Sequence, residues 1–329
     1  MNHPKRLKSK PIFSIIPLNI ALNPCEVLKT SAIDLGFELC GVVAARRPVT
    51  FSRFETWVDA GMHAGMNYLA ERREARSHPR FVLENVRSIL MLSVSYERVL
   101  ADAPLRLPLL GVARYARGGD YHHWIRQRLR QLAALHRKLY PEGRCRGVAD
   151  TAPLLERQFA VDAGLGRIGK NSMLIHPKLG STLFLAALLS TEDWPSDTTP
   201  DLPDPCGNCR RCLDACPTGA LVEPYVLDAR RCLNYWTIEQ RGEIPEEIAE
   251  KLGNRFFGCD TCQDVCPWNR AEPQADGIDP RTLDAQTFET VIHGTPMERR
   301  WKEGKRDHDF SSQCSMAASS VFGLIGLLQ

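Results

Sequence analysis

Residues 206–217 read CGNCRRCLDACP, and residues 259–267 read CDTCQDVCP. The first run has the form C-x2-C-x2-C-x3-C-P. The second repeats its last three cysteines and its proline, with Phe256 where a further cysteine would fall and Cys232 alone in the gap between the runs. Pro217 and Pro267 close the two runs, and a proline fixes its own φ and stops a helix from continuing.

Thiolates at this spacing hold 4Fe-4S clusters: three close cysteines grip one cluster and the fourth reaches across to its neighbour. The crossover divides the thiols into Cys206, Cys209, Cys212 and Cys266 for one cluster, and Cys216, Cys232, Cys259 and Cys262 for the other. A ferredoxin-like domain with two 4Fe-4S clusters is the reading. Paired C-x2-C motifs also build zinc ribbons, but zinc leaves the third close cysteine, the x3 spacing and both C-P endings unexplained. Disulfides belong to oxidising compartments, and nothing else in the chain looks secreted. Cys25, Cys40, Cys145 and Cys314 are scattered and read as free thiols.

The chain has 329 residues, 43% hydrophobic and 25% charged, enough for a buried core and about two domains. A net charge of +3 permits a polyanionic partner without demanding one. The basic start KRLKSK, followed by PIFSIIPLNIAL, imitates a signal peptide, but two prolines interrupt it and no small-x-small cleavage site follows. With no apolar run of ~20 residues and no twin-arginine pair near the start, residues 1–26 read as a loose leader on a cytoplasmic, membrane-free protein.

Further along, VLKTSAIDLGFELCGVVAA from Val27 predicts an amphipathic helix breaking at Gly36 into a strand, and FSRFETWVDAGMHAGMNYLAERREA a helix interrupted around Gly61 to Gly65. SILMLSVSY is a buried strand and GVARYA a short one ended by Gly118 and Gly119. A long helix then opens at YHHW, where His122 and His123 point to different faces and read as a solvated helix start. CRGVA leads to Asp150, locally the N-cap of a helix with Pro153 in its first turn.

GLGRIGKN, from Gly164, imitates both a dinucleotide fingerprint and a phosphate loop. It follows a helix instead of a strand, and Asn171 replaces the hydroxyl that would hold magnesium. Its glycines predict a sharp turn or a close approach to a bulky ligand. SMLIHP and STLFLAALLST add two strands, for a mixed sheet flanked by helices in an α+β or α/β arrangement. EDWPSDTTPDLPDP reads as a linker marking a domain boundary, and the region after the cysteines is polar and irregular until SMAASSVFGLIGLLQ, which is too short to span a membrane. The expected parts are a leader over 1–26, a body over 27–200, the cluster domain over 201–270 and a tail over 271–329.

Residues 27 to 270 resemble epoxyqueuosine reductase, a cobalamin-dependent iron-sulfur enzyme of tRNA modification. The resemblance rests on YARGGDYH (115–122), VADTAPLLER (148–157), AGLGRIGKNSMLI (163–175), LSTEDW, CLNYWTIEQRGEIP from Cys232, and LGNRFFGCDTCQDVCPWN. It implies an α+β fold with a nitroreductase-like layered cobalamin-binding domain ahead of the cluster domain. The implied reaction is reduction of epoxyqueuosine to queuosine at the wobble position of tRNA. Electrons from an external low-potential donor would pass through the clusters to cobalamin, and no partner subunit is implied beyond a monomer. Asp150 takes the place of the proton donor, a task that suits a carboxyl whose pKa burial raises. Arg76, Arg114, Leu174, Leu185, Asn234, Cys259 and Asp260 take the places of cobalamin contacts. The competing enzyme reading is another corrinoid iron-sulfur reductase, such as a reductive dehalogenase, which the VADT motif disfavours. A simple ferredoxin-type electron carrier would not need the long body ahead of the cysteines. The resemblance fades before residue 25 and beyond about Arg300, and no helical-repeat extension is present to grip tRNA.

Overall fold

The computed structural model describes residues 23–102, 110–198, 202–269, 283, 285–293, 295, 297 and 298. Its body runs α1 (Pro24–Asp34), β1 (Leu39–Ala44), α2 (Phe51–Asp59), α3 (Asn67–Glu71), β2 (Ser88–Ser95), α4 (Tyr96–Asp102), α5 (Tyr121–Leu139), β3 (Cys145–Val148), α6 (Glu156–Asp162), β4 (Arg167–Ile168), β5 (Leu174–Ile175) and β6 (Leu183–Ser190). The cysteine-rich part adds α7 (Arg211–Asp214), β7 (Leu221–Glu223), β8 (Val226–Leu227), α8 (Glu246–Leu252) and α9 (Thr261–Asp264), and α10 (Ala285–Ile292) follows.

Four strands form the central sheet in the order β1-β2-β6-β3, and every neighbouring pair is antiparallel. Every residue of β2 is buried. Because side chains alternate across a strand, Leu90, Leu92 and Val94 pack with Leu28 and Ala32 of α1 and Ile125, Leu129 and Leu132 of α5. Ile89 and Met91 face the other way, onto Phe159 and Ala160 of α6. The result is an α+β sandwich of helices on both faces of an antiparallel sheet. The mixed sheet expected from these strands is therefore corrected: a continuous apolar run reports cover on both faces and carries no information about strand direction. SMLIHP contributes only the two residues of β5, which pair with β4 outside the main sheet.

Other expectations change as well. GVARYA is not a strand: Arg114–Ala116 form a single 3-10 turn, and Val112 makes an isolated parallel bridge to Phe257. The polar tail contains α10, whose Phe288 and Val291 bury against Val112 and Phe257. The linker is pinned to the body, since the Asp197 carboxylate accepts from the Val42 amide at 2.8 Å and from Lys29 at 2.9 Å. The leader up to residue 22, Cys314 and the final apolar stretch lie outside the described residues.

Body and cysteine-rich part meet main chain to main chain. The Phe256 amide donates to the Gly111 carbonyl at 2.7 Å, and the Ala113 amide to the Phe257 carbonyl at 2.8 Å. Gly111 sits at φ +68, and a Cβ there would stand 1.8 Å from the Asn254 carbonyl oxygen, so only glycine permits this approach.

Candidate active site and cluster-binding region

Asp150 lies just past β3 at φ +62, a left-handed conformation that a non-glycine residue adopts only when its surroundings hold it there. Its amide donates to Glu156 Oε1 at 3.0 Å. Its Oδ2 accepts from the Tyr121 hydroxyl at 3.1 Å and lies 3.4 Å from His122 Nε2. On the far side of that imidazole, Nδ1 is 2.7 Å from Asp120 Oδ1, and Asp120 also caps α5 by accepting from the His122 amide. Tyr121 is stacked between the His122 ring and Phe184, at centroid distances of 4.1 and 4.2 Å.

Two local readings fail here. Asp150 is not the cap of α6, which starts at Glu156 behind Leu155 and leaves Pro153 outside the helix. A solvated start describes His123, whose side chain is 87% exposed, but not His122, which is buried against two carboxylates.

The charges of the group follow from these contacts. His122 beside it, and then Tyr121 and Arg157, hold the Asp150 carboxyl below the usual carboxylate range, against the opposing pull of the protein crowded around its inner side. The side chain itself is 63% exposed, so solvent on its open face also favours the ion. Asp150 is therefore not an acid raised by burial. Burial disfavours charge on His122, but its hydrogen bond to Asp120 and the Asp150 carboxylate beside it win and raise its pKa. The raised carboxyl is Glu156: burial, with Asp150 adding repulsion, pushes it up to about 8.

A stability prediction comes from Glu156. In the unfolded chain a glutamate loses its proton near ~4.3, whereas here it keeps it up to about 8. The folded state then binds more protons across that window, so this contribution to stability is whole below the lower value and declines as pH rises through the upper one. Glu156→Gln should remove the decline, giving a denaturation midpoint close to wild type at pH 4.5 and above it at pH 8.5.

A cavity of about 250 Å³ is walled by Cys206, Cys209, Cys212 and Cys266 together with Lys170 and Trp268. These four thiols are one of the two predicted sets. Burial raises the Cys212 and Cys266 thiols, and the proximity of Cys206 and Cys209 adds to it in both. Cys232 instead feels Cys259 and Cys216, while Cys262 feels Cys259 and Cys232 first and then Cys212 and Cys216. All the described cysteines are free thiols. Among the described residues no three His, Cys, Asp or Glu side chains converge as one metal ion would require. Thiols spread around a chamber suit a many-atom cluster better than a single zinc ion.

Lys170 and Asn171 of the GLGRIGKN segment serve this region, a role the motif's imitation of nucleotide loops conceals. The Lys170 amide donates to Cys206 Sγ at 3.3 Å, and its ammonium to the carbonyls of Gly207 at 2.5 Å and Cys209 at 3.0 Å. Asn171 Nδ2 donates to the Cys262 carbonyl at 3.3 Å. The close approach that the glycines allow is to the protein's own chain: a Cβ on Gly166 would meet the Ile175 carbonyl at 2.4 Å. Lys170→Ala should cost about 1.5 kcal/mol through its charged hydrogen bonds. Faster iron loss to a chelator would show the loosened turn.

At the seam, Arg114 donates from its amide to Asp260 Oδ2 at 2.7 Å and from its guanidinium to Asp264 at 2.6 Å. Its buried Nε has no hydrogen-bond partner and stands 3.9 Å from Asp260, a loose ionic contact that leaves a donor for a polar group of a ligand. Burial raises the Asp260 carboxyl. Asn234 opens the π-helix Tyr235–Glu239 beside Gly258, next to Cys259, so the structure gathers Arg114, Asn234, Cys259 and Asp260 in one place. Arg76 packs over Phe54 at 5.8 Å and acts electrostatically on Tyr68, which also feels Asp150. Leu185 is the partly exposed residue of β6, whereas Leu174 is 3% exposed with its side chain in the core. A ligand contact from Leu174 would have to come from its main chain.

The profile described as "Epoxyqueuosine reductase QueG, DUF1730" matches residues 76–151, and that described as "4Fe-4S double cluster binding domain" matches residues 205–269. Epoxyqueuosine reductase of Cellulophaga algicola is 39% identical over 257 residues, covering 77% of this chain and 82% of the relative. That of Pseudomonas aeruginosa is 41% identical, covering 77% and 71%. The crystal structure of an epoxyqueuosine reductase with an epoxyqueuosine-modified tRNA-Tyr stem loop superposes with a TM-score of 0.72 at 28% identity, over 83% of this chain and 77% of that one. A Bacillus subtilis epoxyqueuosine reductase, described with its catalytic aspartate loop swung out of the active site, reaches 0.70 at the same identity. With that agreement in sequence, cluster domain and fold, this chain belongs to the epoxyqueuosine reductase family of oxidoreductases.

Proposed function

We propose that this chain reduces epoxyqueuosine to queuosine at the wobble position of a tRNA anticodon, with Asp150 delivering protons to the substrate. Overall, an epoxide, two electrons and two protons become an alkene and water. The carrying observation is the array at Asp150, an open carboxylate held in a strained backbone position by Glu156, Tyr121 and His122. Its relatives' name and the stem loop bound to one of them support tRNA as substrate.

When bound, cobalamin supplies the difficult reductive step and the two 4Fe-4S clusters supply electrons one at a time. Cys206, Cys209, Cys212 and Cys266 would hold one cluster, and Cys216, Cys232, Cys259 and Cys262 the other. Arg76, Arg114, Asn234, Cys259, Asp260, Leu185 and the main chain of Leu174 would hold cobalamin, the unpartnered Nε of Arg114 offering a donor to it. The alkoxide left when the epoxide opens needs a proton at once, and Asp150 on its open face is the group placed to give it. In this reading residues 27–200 form the catalytic body and 201–270 the electron-delivering domain. The protein works as a monomer in the cytoplasm with an external low-potential donor.

The test is to incubate reconstituted protein, cobalamin and a chemical reductant with epoxyqueuosine-containing tRNA, then analyse the nucleosides by mass. Loss of one oxygen from the modified base is expected. Unchanged epoxyqueuosine with both clusters reduced would sink the proposal.

A further inference from the structure

We propose that His122 is the proton store for this site, passing its Nε2 proton to Asp150 so that the carboxyl is reloaded between the two protonations of the reaction. The inference rests on the reading of Asp150 as the residue that protonates the substrate.

The stoichiometry creates the need. One proton captures the alkoxide when the first carbon–oxygen bond breaks, and a second lets the resulting hydroxyl leave as water when the other bond breaks. The electrons come from the low-potential donor through the clusters. A single carboxyl carries one proton, and this one rests as a carboxylate, so His122 charges it before each delivery and regains its own proton from solvent between the two.

His122 has the geometry of a source. Asp120 accepts at Nδ1 at 2.7 Å, which fixes the ring and leaves Nε2 directed at Asp150 Oδ2, 3.4 Å away. That Nε2 is buried and makes no full hydrogen bond, standing 3.4 Å from Asp150 Oδ2. A small rotation of the Asp150 side chain completes it, and rotation the other way presents the carboxyl to the substrate. Stacking of Tyr121 on the imidazole holds the ring while the carboxyl moves. The groups facing His122 are Asp120 and Asp150, with Glu156 and Arg157 acting from α6. Glu156 also keeps a proton, but it meets Asp150 at the amide, not at the carboxylate. Two carboxylates flanking one imidazole favour the imidazolium, as the raised pKa of His122 reflects. His122 acts through Asp150 and is a positioning residue in that sense.

The decisive measurements are a pH–rate profile and a titration. In single-turnover assays with an epoxyqueuosine-bearing stem loop, His122→Gln should fall close to wild type at pH 5.5 and at least about 10-fold below it at pH 8.5, where solvent no longer reloads Asp150. A purely structural role would lower the rate by the same factor at every pH, and a profile parallel to wild type overturns the proposal. Should the variant not fold, 15N NMR of the histidine rings in the wild-type protein decides. His122 must titrate above the ordinary histidine value and move down in Asp150→Asn, and titration below that value overturns the store. If Asp150→Asn keeps full turnover, the reading of Asp150 itself has failed. If that variant is inactive while His122→Gln runs parallel to wild type, only the proton store has.

Discussion

Asp150→Asn is expected to bind the tRNA substrate as wild type does and to turn it over about 10²–10⁴-fold more slowly, the usual worth of a positioned general acid. Asparagine is close to isosteric, and its side-chain oxygen can still accept from the Tyr121 hydroxyl, now at 3.1 Å from Oδ2. Its backbone tolerates the left-handed region that Asp150 occupies at φ +62, so the loop should keep its form. What disappears is the ability to take a proton from a neighbour and give it away. The measurement pairs a binding isotherm on an anticodon stem-loop with single-turnover nucleoside analysis. Unchanged turnover would remove Asp150 from the reaction, and equal loss of binding and turnover would recast it as a substrate-binding group.

Cys232→Ala is expected to halve the iron content of anaerobically reconstituted protein, from about eight atoms per chain to about four, and to abolish turnover. Burial raises the Cys232 thiol, and the nearby Cys259 and Cys216 add to it, which places it with those two. The chamber lined by Cys206, Cys209, Cys212 and Cys266 does not include it and should retain its cluster. Iron and sulfide determination, with the paramagnetic spectrum of the reduced protein, reads the result. Full iron content in this variant would show that another residue serves as the eighth ligand. Loss of all iron would show that the two clusters stand or fall together.

The cysteine block could be read from sequence as a double-cluster domain because its spacings are short and local and need no knowledge of the rest of the fold. Strand β2 was equally legible, since SILMLSVSY carries a dense apolar run from Ile89 to Leu92 and is buried throughout. The candidate site was only half visible. Asp150 looks like a helix cap because Pro153 and a helical pattern follow it, yet its partners arrive from α5, roughly thirty positions earlier in the chain. His122 was hidden for the same reason: beside His123 at a helix start, nothing local distinguishes the buried ring from the exposed one. Lys170 was obscured by its resemblance to a phosphate-binding lysine, although its ammonium is taken up by the carbonyls of Gly207 and Cys209. The direction of the Asp150 shift also needed coordinates, because burial and a cationic neighbour push a carboxyl in opposite directions and only the geometry decides between them.

The reach of Lys170 into the first cysteine turn has a consequence for how the protein comes to exist. Part of the wall that shapes one cluster chamber belongs to the body, so the ligand loop is incomplete until the body has folded. A cysteine segment expressed alone would lack that wall and should hold iron more loosely than the whole chain does. Because metal binding and folding are coupled, a chain whose body is destabilised should also hold iron less tightly.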